Sequence, residues 1–515
     1  MEPSALDLIP DLSGHRDSGA NAEVSVAAQP SPIARLTDQA DFRVEGRPLV
    51  RSGDAIEALP PYRIEVRAGR ILAAEELRVS AARAAETSFL MPGLADPHLH
   101  LVAMASRRLQ RACLPQAPYS RQDLIDSIAE TARLESGSWV RLEGFEEADL
   151  REGTLPTLAE LDAACPNRPL RVRHASRHAS LLNSAARRWL KNAGWSPAFG
   201  QEALLVGREI ELARLLPRAD TQRLREALRE EGEALLRVGI TCIDEVTASN
   251  DLERLELLAS AELPQHIRFW LGVDADWAAI PSCPSGLSIA GIKLLPRDAA
   301  AVQSPWFGEA VARARQAGFP LAIHAVEPDA MASILEVLAT APARKSGGPR
   351  GLDRMEHASL CPPALVAALA ASGMAVVTQP AFLVARGARY RRQLEQPLWQ
   401  WLYPVSSLHE AGVPVAFSSD APVAPPGFHA VLEAACGRGS GALADFGKAE
   451  RVSPGLAFAA HSRTHRLIRG ENAVDQWFAP GEAADFLVLA GDPRPGDFAN
   501  LQVVAAALPS EGVRR

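Results

Sequence analysis

Hydrophobic and polar positions follow two alternating patterns along most of the chain. Short, nearly continuous apolar runs recur, and between them lie longer stretches with apolar residues every three or four positions. The first pattern is typical of strands buried on both faces of a parallel sheet, and the second of amphipathic helices. Eight strands are predicted in this way, within or over residues 90–100, 239–244, 266–271, 290–295, 320–324, 352–357, 374–378 and 414–420.

Eight strands that alternate with helices predict an α/β protein with a closed (β/α)₈ TIM barrel. Helices are expected over residues such as 306–318 and 362–373. Gly318, Gly373 and Gly412 each stand where a helix should end before the next strand begins, which supports this division of the chain.

Other parts of the chain depart from the repeating pattern. Residues 101–237 are a large insertion after the first strand, and we expect it to form a lid and much of the substrate pocket within the barrel domain 91–474. Alternating segments in 39–90 are predicted to pair with 475–515, so that the two chain ends form one small β domain. Residues 1–38, rich in Ser, Ala and Pro, are typical of a flexible arm.

Composition narrows the class of protein. The 515 residues are 47% hydrophobic and can bury a large core. No apolar run approaches the roughly 18 residues of a membrane helix, and the first residues lack the features of a signal peptide, so a cytoplasmic location is expected. A net charge of −8 with dispersed arginines argues against nucleic acid and membranes as partners. Six cysteines without a C-x-x-C pair argue against disulfides and thiolate zinc sites.

Residues that can bind a metal fall at or near the ends of predicted strands. A lone H-x-H is weak evidence, because 12 histidines in 515 residues give about 0.3 such pairs by chance. The carboxyl ends of parallel barrel strands meet at one mouth, however, so residues far apart in sequence converge there. The residues in question are His98, His100, Lys293, His324, His357 and Asp420.

Each of these residues has a simpler explanation when it is taken alone. A histidine at a strand end is more often a hydrogen-bonded core or rim residue, and Asp420 after two serines is as well placed to cap a helix. Lys293 is harder to explain, because a lysine inside a barrel strand needs a partner or a changed charge. The coincidence of all six at strand ends favours a metal site.

This order of residues resembles the amidohydrolase superfamily. Further stretches are similar to its YtcJ-like branch, which includes N-substituted formamide deformylases, and the resemblance covers roughly residues 40 to 495. Those stretches are 158–162 with 165–169, His178 with Asn183 and Ser184, 354–358, Gln379 with Pro380, 412–413 leading to 418–423, and 480–481 before 484–485.

The resemblance implies a role for each residue. His98, His100, Lys293, His324, His357 and Asp420 would bind one or two divalent metal ions, with zinc the expected ion and Lys293 carboxylated on its amine. The metal would lower the pKa of a bound water to about 7 and polarise a substrate carbonyl. Asp420 would move the proton from this water to the leaving nitrogen, and His178 would stabilise the carbonyl oxygen or developing oxyanion.

Two loops depart from the branch. An Asp-Gly segment commonly follows the strand lysine, whereas here residues 294–300 read Leu-Leu-Pro-Arg-Asp-Ala-Ala, and the Gly-Asp after the fifth-strand histidine is replaced by Val-Glu-Pro-Asp at 326–329. Both loops would lie at the barrel mouth, so the substrate is expected to differ from that of better-known relatives. Candidates for lining the substrate pocket are Trp139, Trp306, Phe382 and Arg386. Packing is nevertheless the more frequent role of such side chains near a barrel mouth.

The sequence therefore predicts a metal-dependent hydrolase that cleaves a carbon–nitrogen bond of an amide, formamide or cyclic amide with a small-molecule substrate. Two alternatives stay open at this point, a hydrolytic deaminase of a heterocycle and an inactive barrel that only binds a ligand. The oligomeric state, including a homodimer, is also open. His461 and His465 share helical i, i+4 spacing but lack the H-E-x-x-H glutamate, so packing or a surface position is expected for them.

Overall fold

The computed structural model describes most of the chain. The described residues are 33–36, 41–77, 88–109, 111–112, 119–134, 137–147, 150–174, 179–198, 203–216, 220–471, 478–490 and 502–508. The predicted flexible arm, 1–38, lies almost wholly outside these ranges. Among the described residues, no helix combines the length and the apolar character needed to cross a bilayer.

The main sheet of the described chain has eight parallel strands, each paired with its neighbour in order. This confirms the predicted α/β barrel, which is nearly closed. The strands are β1 (Leu94–Leu99), β2 (Ile240–Glu245), β3 (His266–Gly272), β4 (Leu287–Leu294), β5 (Leu321–Ala325), β6 (Arg354–His357), β7 (Ala375–Thr378) and β8 (Val415–Phe417).

Helices alternate with these strands, and several end where the sequence places a glycine. Gly318 and Gly373 follow their helices in the left-handed conformation, with φ of 83° and 70°, which glycine adopts without a Cβ penalty. From β2 onward the α-helices are Leu252–Ala259, Ala299–Gln303, Pro305–Ala317, Pro328–Thr340, Pro363–Ser372, Phe382–Gln393, Val405–Glu410, Phe428–Cys436, Pro454–His461 and Arg463–Ile468, with 3₁₀ turns at Gln396–Trp401, Gly441–Leu443 and Lys448–Glu450.

The last strand is shorter than predicted. The sequence predicts a strand through Asp420, but β8 ends at Phe417. Beyond it the chain turns to bond to β1: the amide of Asp420 donates to the carbonyl of His98 at 2.8 Å, and the amide of His100 donates to that of Ala421 at 2.9 Å. These two bonds connect the first and last barrel segments at the level of the candidate ligands.

A second sheet of the described residues combines strands from both ends of the chain. Phe486–Ala490 lies antiparallel to both Ser88–Pro92 and Gln502–Ala507. The strands before the barrel are Ala34–Arg35, Asp41–Ser52, Ala55–Ala58, Tyr62–Arg67, Arg70–Glu76 and Ser88–Pro92. Phe42, Ile64, Leu90 and Phe486 are among the buried residues of its core.

Contacts between residues divide the described chain into two compact units. One is Ala105–Ala227, and the other combines Ser31–Met104 with Leu228–Arg515. The first unit holds a five-stranded sheet within its described residues. Its strands are Arg111–Ala112, Val140–Phe145, Leu170–His174, Ala179–Leu182 and Leu204–Val206. Around residues 101–237 the helices are Leu101–Arg108, Arg121–Leu134, Leu158–Ala164, Ser184–Asn192, Glu209–Leu215 and Thr221–Arg237.

Gly93 joins the terminal sheet to the barrel, and we predict that Gly93→Ala destabilises the protein. A Cβ at this position would overlap the Asp485 carboxylate and the Thr241 hydroxyl, and the Gly93 amide donates to the Asp485 carbonyl at 3.0 Å. Overpacking of this kind costs about 1–3 kcal/mol, so the urea-unfolding midpoint should fall.

Gly308→Ala is the matched control. Gly308 lies inside the helix Pro305–Ala317, and an added Cβ there would meet no atom within 4 Å. The same substitution should raise stability by about 0.5–1 kcal/mol at this site. Equal midpoints for the two variants would contradict the packing described at Gly93.

Candidate metal centre

The six predicted ligand residues lie at or just beyond the ends of barrel strands. His98 is near the end of β1 and His100 follows it, and Lys293, His324 and His357 lie on β4, β5 and β6. Asp420 follows β8. Because the strands are parallel, their carboxyl ends share one mouth, and the side chains of this set converge there.

Two histidines and the aspartate form the tightest group. Nε2 of His100 lies 3.0 Å from Oδ1 of Asp420, and Nε2 of His98 lies 3.7 Å from the same oxygen. The ligand-type atoms of these three residues all fall within 4.8 Å of one another. One ion can therefore contact all three side chains after small adjustments.

The remaining predicted ligands extend this group. The His357 ring lies 4.8 Å from that of His98 and 4.6 Å from that of His324, measured between centroids. Lys293 is 3% exposed, and its charge acts on His98, His324 and His357. The structure thus brings all six residues into one cluster.

Hydrogen bonds to Nδ1 orient three of the imidazoles. His98 Nδ1 contacts Glu356 Oε2, His100 Nδ1 lies 2.9 Å from Thr247 Oγ1, and His357 Nδ1 lies 2.8 Å from Gln379 Oε1. The Gln379 amide is oriented in turn, since its Nε2 donates to Ser418 Oγ at 2.8 Å. With Nδ1 as the donor, Nε2 of His98 and Nε2 of His357 keep a lone pair, which is the form that binds a metal.

Burial also sets the protonation state of the cluster. It holds the pKa of His98 and His324 well below the usual value and lowers that of His357 to about 4, so these rings are neutral near pH 7. Burial lowers the pKa of Lys293 to about 8. Burial opposes ionisation of Asp420, but the adjacent His100 outweighs it and keeps the pKa of this carboxyl below its usual value.

Two buried polar atoms of the cluster have no hydrogen-bond partner among the described residues, Nζ of Lys293 and Oδ1 of Asp420. Leaving such groups unsatisfied is costly, and most buried polar atoms are paired. Neutral imidazoles and a carboxylate therefore direct lone pairs toward one another, and hydrogen bonds do not satisfy all of them. This donor set fits a divalent cation with nitrogen and oxygen ligands.

The backbone at the cluster adopts uncommon conformations. His357, Ala358 and Asp420 have φ of 72°, 45° and 53°, in the left-handed region that residues with a Cβ rarely occupy. Each costs on the order of 1–3 kcal/mol and persists only where the surroundings impose it. Their position at two candidate ligands is typical of a functional site.

A buried ion network that sequence reasoning missed lies beside these ligands. Arg354 pairs with Glu356, donates from Nη1 to Asp244 Oδ2 at 2.6 Å, and donates from Nη2 to the Pro97 carbonyl at 2.8 Å. Glu356 in turn contacts His98. The available signal was the Arg-x-Glu-His run of β6, in which two charged residues alternate on a buried strand next to a ligand.

A second group of possible ligand atoms comprises Cys242, Asp244 and His465. Asp244 already accepts hydrogen bonds from Arg268 at 3.1 Å, Arg354 at 2.6 Å and the indole of Trp270 at 2.8 Å. Arg469 donates to Cys242 at 2.9 Å. Because three guanidinium groups surround it, this group is an ion-pair network and a poor cation site.

Other predicted histidines have different outcomes. His178 lies outside the described residues, so its predicted role stays a prediction. His461, weighed for its helical spacing with His465, is buried and bonds through Nδ1 to the Ala95 carbonyl at 2.9 Å.

Comparison with known proteins gives consistent matches. The sequence model described as the amidohydrolase family matches residues 82–514. The N-substituted formamide deformylase of Arthrobacter pascens is 25% identical over 496 residues, which cover 85% of this chain and 90% of that protein. The YtcJ protein of Bacillus subtilis (strain 168) is 32% identical over 98 residues, 19% of this chain and 18% of its own.

A solved structure matches the fold. The crystal structure of an uncharacterized metal-dependent hydrolase from Pyrococcus horikoshii OT3 superimposes with a TM-score of 0.69 at 19% identity, covering 87% of this chain and 98% of that one. At this identity the match concerns the fold, which agrees with the barrel predicted from the sequence.

We predict that Gln379→Met weakens metal binding by about 10- to 100-fold, because it removes the acceptor that orients His357. Zinc affinity is measured by competition with a chromophoric chelator. Gln265→Met is the matched control: Gln265 is a buried barrel glutamine whose Nε2 donates to the Gly232 and Ile240 carbonyls, away from the cluster. Equal zinc affinity in Gln379→Met and the control would contradict an orienting role for Gln379.

Proposed function

The chain belongs to the amidohydrolase family, and we propose that it hydrolyses a carbon–nitrogen bond of a small amide, N-formyl compound or cyclic amide at the cluster of strand-end residues. The convergence of His98, His100 and Asp420 within 4.8 Å supports this proposal most directly. The similarity to a formamide deformylase favours an amide or formamide over other carbon–nitrogen substrates.

His98, His100, His324, His357 and Asp420 would hold the metal, together with Lys293. When bound, a divalent metal ion such as zinc lowers the pKa of water to about 7 and polarises a carbonyl. Neutral imidazoles and an ionised carboxylate are the ligand forms that such an ion requires. The pKa shifts described above favour these forms at neutral pH.

Lys293 is suited to carboxylation. Only a neutral amine reacts with carbon dioxide to form a carbamate, and a pKa near 8 leaves a larger neutral fraction at pH 7 than the usual value of 10.5 does. The carbamate would replace a buried cation by an anion with two oxygen ligands. It would also convert the unpaired Nζ from an ammonium group into the nitrogen of a planar carbamate, which carries a single N–H.

Asp420 is proposed as the group that moves the proton. Its carboxylate would accept a proton from the attacking water and deliver it to the leaving nitrogen as the carbon–nitrogen bond breaks. The adjacent imidazole of His100 favours the ionised form of Asp420 that accepts the proton. His178 is proposed, from the family resemblance alone, to stabilise the carbonyl oxygen as charge develops on it.

The reaction is tested by supplying zinc-loaded protein with N-formyl, N-acyl and lactam compounds and measuring the products. Release of formate, of a carboxylate or of the ring-opened acid is expected, and chelation of the metal should abolish it. Release of ammonia from heterocycles alone would show a deaminase, and an absence of turnover for every class would contradict hydrolysis.

Asp420→Asn should lower kcat by about 100-fold or more, because the amide cannot accept the proton. The matched control is Asp445→Asn, since Asp445 pairs with Arg391 on the exposed surface and should leave kcat unchanged. Turnover by Asp420→Asn at the control rate would rule out the proposed role.

Lys293→Met should remove the carbamate and lower metal content. The carbamate is observed as a ¹³C resonance after incubation with labelled bicarbonate and zinc. A resonance in the unmodified protein that is absent from Lys293→Met is the expected result. The same resonance in both proteins, or full zinc content in the variant, would contradict a ligand role for Lys293.

A further inference from the structure

The helix Phe382–Gln393 begins next to the candidate metal centre. It follows β7 after only three residues, of which the first, Gln379, bonds to His357. The Phe382 amide donates to the Gln379 carbonyl at 3.0 Å, so the start of the helix is attached to the residue that orients a candidate ligand.

An aromatic cluster packs this helix against the segments that follow two candidate ligands. The rings of Phe382 and Tyr390 each lie 6.1 Å from that of Tyr403, and the hydroxyls of the two tyrosines are 2.5 Å apart. Leu360, three residues after His357, and Val423, three residues after Asp420, pack against the same cluster. The cluster therefore borders the site on the side of β6 and β8.

Arg386 lies on the helix face that this cluster uses. It is one turn from Phe382 and one turn from Tyr390, and its guanidinium carbon lies 4.9 Å from the centre of the Phe382 ring. Arg386 is half-buried, yet within the described residues no carboxylate pairs with it and no hydrogen bond involves its side chain. Its neighbours on the helix do have partners: Arg389 bonds to Gln393 at 2.8 Å, and Arg391 lies 3.3 Å from Asp445.

Arg386 and the candidate ligand Asp420 both act electrostatically on the hydroxyl of Tyr390. Burial raises the pKa of Tyr390, the hydrogen bond with Tyr403 and the charges of Arg386 and Arg389 oppose this rise, and the charge of Asp420 adds to it. The charges of Arg386 and Asp420 therefore act on the same phenol. A positive group in an aromatic cluster beside a proton-transfer carboxylate is well placed to contact a substrate held at that carboxylate.

We propose that Arg386 binds a carboxylate carried by the substrate, so that the preferred substrates are N-formyl or N-acyl compounds with an acidic group on the nitrogen substituent. This inference rests on the proposed amide hydrolysis. A guanidinium fits a carboxylate with two parallel hydrogen bonds, and stacking on Phe382 leaves the N–H edge of its plane free to donate them. Arg386 would act in substrate recognition, apart from the metal ligands.

The kinetic test compares N-formyl amino acids of increasing chain length with N-formyl alkylamines of equal length that lack the acid. The unmodified enzyme should prefer the acids, with an optimum at one length. Arg386→Gln should lower the ratio of kcat/KM for acid over neutral substrate by about 10- to 100-fold, and Arg386→Lys should restore part of it. Arg389→Gln is the control on the same helix and should leave the ratio unchanged.

Failure of the subsite and failure of the proposed function give different results. Hydrolysis of both substrate series with the same ratio in Arg386→Gln and the unmodified enzyme overturns the carboxylate subsite and leaves amide hydrolysis standing. If the unmodified enzyme hydrolyses neither series, amide hydrolysis is contradicted. The carboxylate subsite is then tested by measuring the binding of acidic ligands.

The binding measurement uses the metal-free protein, so that no metal can attract the acid. Calorimetry with N-acetylglycine and its longer homologues should show weaker binding to Arg386→Gln than to the unmodified and Arg389→Gln proteins, by about 10- to 100-fold. Equal affinity in all three proteins, or no binding to the unmodified protein for any length, overturns the proposal.

Discussion

The buried ion pair between Arg354 and Glu356 is the interaction on which the arrangement at the candidate metal centre depends. Neither side chain is exposed to solvent, and each has further partners. Arg354 reaches Asp244 on β2 and the Pro97 carbonyl on β1, while Glu356 contacts His98. Charges inside a barrel are tolerated only when they are paired and hydrogen-bonded, so these contacts fix three strands relative to one another.

The same contacts connect fold and chemistry. His98 keeps a free Nε2 because Glu356 occupies its Nδ1, and β1 closes onto the segment after β8 through the backbone of His98 and Asp420. The residues that complete the barrel are therefore the residues that form the site. A change in the interior network would alter the orientation of a candidate ligand as well as stability, since orientation of ligands depends on the groups behind them.

Much of this organisation was predictable from the sequence because it depends on local patterns. Apolar runs gave the eight strands, and parallel strand ends explain why residues such as His98 and Lys293 converge. The partners of the ligands were not predictable, because Glu356 and Gln379 act through contacts between strands that no local pattern specifies. The predicted end of β8 was wrong by three residues, because backbone hydrogen bonds to β1 draw the chain away from the strand ladder after Phe417.

Anomalous diffraction from crystals grown with zinc tests whether the strand ends hold a metal ion. A zinc peak is expected at about 2.0–2.2 Å from Nε2 of His98, Nε2 of His100 and a carboxylate oxygen of Asp420. No peak is expected at Cys242, Asp244 and His465, where arginines already surround the acid. A peak at that second group alone, or none at the strand ends, would contradict a metal centre at the mouth of the barrel.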